Sequence, residues 1–427
     1  MPSNLALSSI ARRTSAPAIT DLMQRALATP GLISMAAGFV DQASLPASAV
    51  LSTLTPMLAD PAEGHRSLQY GTTIGDRALR EALIRRLEQE EKVGPGTYGE
   101  FLPRTVVTTG SQQLLALVCE ALLDPGDIVL VESPTYFVFL GVLESRGARA
   151  IGVATDSGGL CLNSLELTLK EIDRRGELDR VKLLYTVSEH SNPTGLSLAA
   201  DRRKPLLELV RRWSREGRIL ILDDAAYRGL DLEGAEYPGL WSLDPGGETV
   251  ILARTFSKTF SPGLKTGFGI LPTDLLGPVL SLKGNQDFGS NHFTQQLLER
   301  ALTSGLYEAH RLGLAATYRA KRDALLAALD IHLGGIDGVS WTKPMGGIYV
   351  WLTLPEGVDA GPQGELFPRC IERGVLYVPG ALAFAAEPAE APANTARLCY
   401  GVPDEAELVE GVRRLSAALT GCLDPVA

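Results

Sequence analysis

The stretch Arg254-Thr255-Phe256-Ser257-Lys258-Thr259-Phe260-Ser261-Pro262-Gly263-Leu264-Lys265-Thr266-Gly267-Phe268 decides how this chain reads. It comes after a short apolar strand, Val250-Ile251-Leu252-Ala253, and sets one lysine, Lys258, among hydroxyl side chains. A lysine amine is the side chain that forms a Schiff base with an aldehyde. The flanking hydroxyls and a second lysine, Lys265, are groups that suit a phosphate monoester. Alone, the segment reads as a polar turn after a strand with a solvated lysine. Its weight comes from what the rest of the chain sets beside it.

The composition bounds the possibilities. At 427 residues the chain is long enough for two or three domains with sizeable cores, and 45% hydrophobic with 21% charged residues is ordinary for a globular enzyme. A net charge of −10 argues against a nucleic-acid partner, so any bound phosphate is held by a local site. Cys119, Cys161, Cys370, Cys399 and Cys422 are scattered without a C-x-x-C, which suggests neither a metal site nor a disulfide framework. No apolar run reaches the ~18 residues of a membrane span. The start, Ser-rich with Arg12-Arg13, lacks a signal-peptide core, so a cytoplasmic location is expected.

Upstream of the lysine stretch, Ile19–Ala28 reads as a short helix and Leu32–Met35 as a strand, leading into the small-residue turn Ala36-Ala37-Gly38-Phe39. Leu68-Gln69-Tyr70-Gly71 precedes Asp76, an N-cap for a helix with Leu79, Leu83 and Leu87 on one face. Thr105–Thr108 runs through Thr109-Gly110-Ser111-Gln112 into a Leu-rich helix, an arrangement that aims backbone N–H groups at an anion. Ile128–Glu132 is a buried strand with Tyr136 just past its end, where open α/β sheets bind ligands. The strand Val181–Val187 ends at Ser188-Glu189-His190-Ser191-Asn192-Pro193-Thr194-Gly195, in which His190 reads as a surface histidine ahead of a pocket acid or base. Leu198–Arg215 is an amphipathic helix, and Ile219–Leu222 a strand running into Asp223-Asp224-Ala225-Ala226-Tyr227. Beyond Gly269 the chain is largely helical to Leu333. It then shows Pro344-Met345-Gly346-Gly347-Ile348-Tyr349-Val350-Trp351, a loop at Ala385–Ala393, and Asn394-Thr395-Ala396-Arg397-Leu398-Cys399-Tyr400. No internal repeat interrupts this order.

Taken in that order, S-K-T-x-x-P-G-L-K, N-P-T-G, D-x-A-Y, P-x-G-G-x-Y-x-W and N-x-x-R-L-x-Y resemble the fold type I, class I/II aminotransferases that use pyridoxal 5'-phosphate. Within them the chain is most similar to the kynurenine and 2-aminoadipate aminotransferase branch. The resemblance spans about Ile19 to Leu415. It implies an α/β fold, with a large domain built on a mostly parallel seven-stranded sheet and a small α+β domain. The implied division is residues 1–45 (N-terminal arm and part of the small domain), 46–300 and 301–427. The alternating strand and helix signals from Thr105 to Leu271 agree with it independently.

It also implies roles. Lys258 holds the cofactor as a Schiff base and moves the proton from substrate Cα to the cofactor's C4′. Ser111, Gln112, Thr255, Ser257 and Lys265 hold the phosphate, and Tyr136 stacks on the ring. Asp224 keeps the ring nitrogen protonated, and Asn192 and Tyr227 bond the phenolic oxygen. Gly38 lets the substrate approach, Asn192 also contacts it, and Arg397 forks onto its α-carboxylate. Tyr70 completes the site of the partner in a homodimer, and Arg12 or Arg13 would contact substrate from there. The substrates implied are an amino acid and a 2-oxo acid.

Two departures stand out. Relatives carry arginine where this chain has Lys265, a point charge without a bidentate fork. They also carry a proline and an aromatic-plus-Gln pair where this chain has Ser188 to Ser191. Elimination or decarboxylation on the same scaffold is the alternative activity. A non-catalytic sensor behind a DNA-binding domain is disfavoured by the short N-terminal segment.

Overall fold

The structure is a computed structural model and describes residues 5–15, 20, 24, 29–234, 237–385 and 390–423. The helix expected at Ile19–Ala28 lies mostly outside the described residues, as does the middle of the loop expected at Ala385–Ala393.

Fourteen strands occur among the described residues: β1 Ile33–Ser34, β2 Thr105–Thr108, β3 Ile128–Ser133, β4 Arg149–Asp156, β5 Gly159–Leu160, β6 Val181–Thr186, β7 Leu220–Asp224, β8 Val250–Thr255, β9 Gly267–Ile270, β10 Ser340–Trp341, β11 Tyr349–Thr353, β12 Val375–Leu376, β13 Val378–Pro379 and β14 Thr395–Cys399. The main sheet has the order β2-β9-β8-β7-β6-β3-β4-β5. Pairs β4/β3, β3/β6, β6/β7 and β7/β8 are parallel, and β9 runs against both its neighbours. The count corrects the expected seven strands to eight. Gly159, at φ +81°, turns the chain back after β4 into a two-residue antiparallel strand too short to read as one.

Parallel strands covered on both faces read as continuous apolar runs. Alternation then divides each run between two cores. Val129, Val131, Leu183, Tyr185, Leu220 and Leu222 face one core; Ile128, Leu130, Leu184, Ile221 and Leu252 face the other. The helices Gly110–Leu122, Phe137–Arg146 and Thr273–Asp287 cover the first face, and Arg77–Glu90, Leu162–Arg174 and Ala200–Trp213 the second. Asp76 caps Arg77–Glu90 by accepting from Leu79 N at 2.9 Å, as its position predicts.

The largely helical stretch after Gly269 is three helices, Thr273–Asp287, His292–Thr303 and the 28-residue Leu306–Leu333. Beyond it lies a four-stranded antiparallel sheet, β10-β11-β14-β13. It packs with Leu306–Leu333 and Glu405–Leu423. β1 pairs in parallel with β12, which ties the N-terminal segment to the C-terminal part of the chain. Among the described residues no helix is long and apolar enough to cross a membrane, and no group of three His, Cys, Asp or Glu side chains could hold a metal ion.

Candidate active site

The C-terminal ends of parallel strands are where an α/β sheet offers a ligand exposed backbone and side chains. Here β3 is followed by Tyr136, β6 by Asn192, β7 ends in Asp224 with Tyr227 beyond, and β8 leads to Lys258. The alternation that puts Leu220 and Leu222 on the first face puts Asp224 there too, while Asp223 points into the second core. Asp224 is buried and accepts from the Tyr185 hydroxyl at 3.0 Å through Oδ2; its Oδ1 has no hydrogen-bond partner. Burial pushes its pKa up to about 7, with Asp223 adding to the shift and the hydroxyls of Tyr185 and Ser111 opposing it. Tyr136 lies close enough for Asp224 to raise its pKa further above the value set by burial.

Two cationic side chains converge on the turn Ala36–Gly38. The Lys258 amine donates to the Gly38 carbonyl at 2.5 Å, and Arg397, 2% exposed, donates from Nη2 to the Ala36 carbonyl at 2.6 Å. Arg397 Nη1 donates to Asn192 Oδ1 at 2.8 Å, which joins the β6 loop to β14; its Nε is buried without a partner. Burial lowers the Lys258 pKa to about 8, the Cys399 thiol opposing the shift while Arg397 and Lys265 add to it. Tyr349 on β11 is a site residue that reading the sequence does not single out. Its ring lies 4.4 Å from the Arg397 guanidinium, its hydroxyl accepts from Tyr227 at 3.2 Å, and a Cβ at Gly38 would overlap it. A side chain at 38 would therefore have to push the Tyr349 hydroxyl aside. The signal that could have found Tyr349 is its place in P-x-G-G-x-Y-x-W.

At the other end, no side chain caps the helix Gly110–Leu122, so its first N–H groups, near Ser111 and the exposed Gln112, are left for a ligand. Thr255 and Ser257 lie beside it with their hydroxyls 2.9 Å apart, and Thr255 Oγ1 would sit 3.8 Å from a Cβ at Gly110. Gly267 has no room for a side chain against the Gly110 backbone, at 2.6 Å, which keeps β9 close to this helix end. Lys265 is exposed at φ +50°.

The unusual Ser188–Ser191 segment is buried, not superficial. His190 is 3% exposed and packs on Gly346 and Gly347, with Nε2 3.8 Å from Asp231 Oδ2; burial lowers its pKa while Glu189 and Asp231 pull the other way. The expectation of a surface histidine is thus corrected: the glycines of P-x-G-G leave a slot the ring fills. Glu189 pairs with Arg203 at 3.2 Å and with Arg228. Arg228 reaches Glu91 at 2.5 Å and Glu90 at 3.4 Å, and Glu90 pairs with Arg254 at 2.8 Å. One buried ion-pair network therefore links the loops bearing Asn192, Tyr227 and Lys258. Clefts of about 640 and 650 Å³ flank the loop, one between Gly195–Ala200 and the four-stranded sheet, the other beside Arg228 and Glu189; neither is lined by Lys258.

Tyr70 stands apart from its own chain's Lys258 cluster in the hydrogen-bond pattern. It is 82% exposed and packs edge-to-face on Phe288 at 5.7 Å, itself at φ +56°. Arg13 donates to the Ser145 carbonyl of its own chain at 3.4 Å, and Arg12 to Leu7 O.

Residues 32–415 match the aminotransferase class I and II family. The chain belongs to that family. It is 32% identical to the 2-aminoadipate transaminase of Thermus thermophilus over 97% of this chain and 96% of the relative, and 31% identical to aromatic-amino-acid aminotransferase 1 of Thermococcus litoralis over 92% and 88%. The crystal structure of Pyrococcus horikoshii kynurenine aminotransferase in complex with PMP superposes with a TM-score of 0.88 at 31% identity, covering 98% of each chain. This aminotransferase is a pyridoxal 5'-phosphate enzyme of the class I/II, kynurenine and 2-aminoadipate aminotransferase-like branch, with the fold type I architecture. Its residues fit the cofactor: a buried amine for the aldehyde, an open carboxylate oxygen for the ring nitrogen, and an uncapped helix end with hydroxyls for the phosphate. Nothing in the comparisons favours the lyase alternative.

Proposed function

We propose that the enzyme moves an amino group between an amino acid and a 2-oxo acid with Lys258 as its catalytic amine and Arg397 as the anchor of the substrate α-carboxylate. The observation that carries this is the convergence of both groups on one turn: Lys258 on Gly38 O and Arg397 on Ala36 O, with Arg397 Nε still open. When bound, pyridoxal 5'-phosphate supplies the electron sink that makes the substrate Cα–H acidic. Lys258, weakened as a base by burial, can take that proton and return it at C4′ near neutral pH. Arg397, held in plane by Asn192 and Tyr349, orients the substrate so that the Cα–H faces Lys258.

In this reading Asp224 holds the ring nitrogen through Oδ1. Asn192 and Tyr227 hold the phenolic oxygen, and Tyr136 the ring face. Ser111, Gln112, Thr255, Ser257 and Lys265 hold the phosphate. Gly38 leaves room for the substrate. The exposed Tyr70–Phe288 pair supports a homodimer in which Tyr70 enters the partner's site. The large domain would span residues 46–300 and the small one 1–45 with 301–427, in a cytoplasmic enzyme without a nucleic-acid partner. The relatives' names span aromatic, 2-aminoadipate and kynurenine donors, so a donor panel of these three classes sets the side-chain preference.

The assignment of Lys258 is tested by reducing the loaded enzyme with borohydride and mapping its peptides. The pyridoxyl label is expected on Lys258 alone. A label on Lys265 or Lys283, or none, overturns it.

A further inference from the structure

The end of β6 and the loop after it carry three hydroxyl side chains, and each donates to a different buried carboxyl group of a flanking strand. Tyr185 Oη donates to Asp224 Oδ2 at 3.0 Å, Thr186 Oγ1 to Glu132 Oε1 at 2.6 Å, and Ser188 Oγ to Asp223 Oδ1 at 2.6 Å. Alternation puts Tyr185 and Asp224 on the first face of the sheet and the other two pairs on the second. Tyr185 has no room to swing: it is fully buried and its ring stacks on Phe139 at 3.9 Å and 19°. It therefore commits one oxygen of Asp224 and leaves Oδ1, buried and unpartnered, pointing to a missing hydrogen-bond partner. Ser188 lies in the segment where the family pattern carries a proline, a residue that has no side-chain donor to give.

We propose that Tyr185 and Ser188 are positioning residues of the amino-transfer reaction: Tyr185 fixes the Asp224 carboxylate so that its free oxygen meets the cofactor's ring nitrogen, and Ser188 holds the Asp223 carboxylate as a second negative charge behind it. This rests on the assignment of Asp224 to the ring nitrogen. The titratable and polar groups facing Asp224 are Tyr185 from β6, Asp223 from its own strand, Tyr136 from the β3 loop and Ser111 from the helix after β2.

Their actions on Asp224 have opposite signs. The Tyr185 hydrogen bond favours the ionised carboxylate, so its removal lets Asp224 keep a proton to higher pH. The Ser188 hydrogen bond favours ionised Asp223, whose charge in turn raises the basicity of Asp224. Its removal neutralises Asp223 sooner, and Asp224 then gives up its proton at lower pH. A ring nitrogen that arrives protonated binds an Asp224 already holding a proton only if one of the two protons leaves.

The test measures dissociation constants of the cofactor-free protein for pyridoxal 5'-phosphate and for its analogue with the ring nitrogen replaced by CH, across roughly pH 6–9. The natural cofactor is expected to bind the unmutated protein more tightly, with an advantage that shrinks below a midpoint. Tyr185→Phe, isosteric, moves that midpoint up and loses about tenfold or more of the advantage at neutral pH. Ser188→Ala moves it down. Profiles that superimpose on the unmutated one, or that move in the same direction for both variants, overturn the proposal. If Tyr185→Phe does not fold, the sign of the Ser188→Ala shift alone decides. If the unmutated protein binds both compounds equally, the Asp224 assignment itself falls and takes the proposal with it.

Discussion

Glu189→Gln perturbs the network behind the site at a cost that can be worked from the structure. Arg203 is 0% exposed, and Glu189 is its only carboxylate partner among the described residues; the rest of its guanidinium donates to the carbonyls of Leu198 (3.1 Å), Pro238 (2.7 Å) and Ser188 (3.1 Å). Arg228 also bonds Glu189 but keeps Glu90 and Glu91. The amide retains the shape and one acceptor, so the variant leaves one buried cation, not two, without a carboxylate in contact, with Asp223 acting on Arg203 only at longer range. Removing one partner of a buried pair costs about 3–5 kcal/mol, and the three carbonyl bonds place this case near about 3 kcal/mol. Urea unfolding of the cofactor-free protein at neutral pH, monitored by circular dichroism, reads that loss, with Glu171→Gln, in a partly exposed ion pair, as a control. Arg203→Met added to Glu189→Gln should recover much of it. Burial opposes ionisation of Glu189, but Arg228 and Arg203 overcome it and hold its pKa below the usual carboxylate value. The stabilisation is therefore complete above the unfolded pKa of about 4.3 and is lost as pH falls through the lower folded value. A Glu189→Gln protein within about 0.5 kcal/mol of the unmutated one would refute the claim that this network braces the site.

The site itself supports three further outcomes. Arg397→Lys removes the planar fork and is expected to raise the donor KM by about 1.5–3 kcal/mol of lost bonding, roughly 10- to 150-fold, with a smaller change in kcat; steady-state kinetics with a single donor check it. Because only the neutral amine attacks an aldehyde, the rate at which cofactor-free enzyme captures pyridoxal 5'-phosphate should rise with a midpoint near the Lys258 pKa of about 8, far below the ordinary lysine value, and Lys265→Met should move that midpoint up; stopped-flow absorbance reads both. Mixing inactive Tyr70→Ala and Lys258→Ala proteins under conditions that exchange subunits should restore roughly a quarter of the unmutated activity, since half the dimers are hybrids with one complete site; no recovery would mean that Tyr70 does not serve the partner's site.

How far the sequence can be read depends on the kind of element. The buried parallel strands announce themselves as short apolar runs. Tyr136, Asn192, Asp224 and Lys258, the proposed cofactor contacts, are legible because they sit at or just past the ends of such strands, where α/β sheets bind ligands. The choice of Asp224 over Asp223 agrees with alternation along β7. Tyr185 is not legible, because a tyrosine inside a β-rich run looks like packing until the strand across from it is known. Glu189, Arg203, Arg228, Glu90 and Arg254 are far apart in sequence, and only the fold shows that they form one network. His190 reads as superficial for a similar reason: the slot that buries it is made by Gly346 and Gly347, more than a hundred residues downstream. β5 escapes notice because two residues after a glycine turn carry no periodicity.

The central claim, amino transfer on a lysine-held cofactor, is tested most directly by mixing the loaded enzyme with a single amino acid and no oxo-acid acceptor while recording the visible spectrum and free ammonia. The account predicts one stoichiometric conversion to the pyridoxamine form, release of the matching 2-oxo acid and no ammonia. Continuous release of ammonia or carbon dioxide with return of the starting spectrum would contradict it and make the protein a lyase.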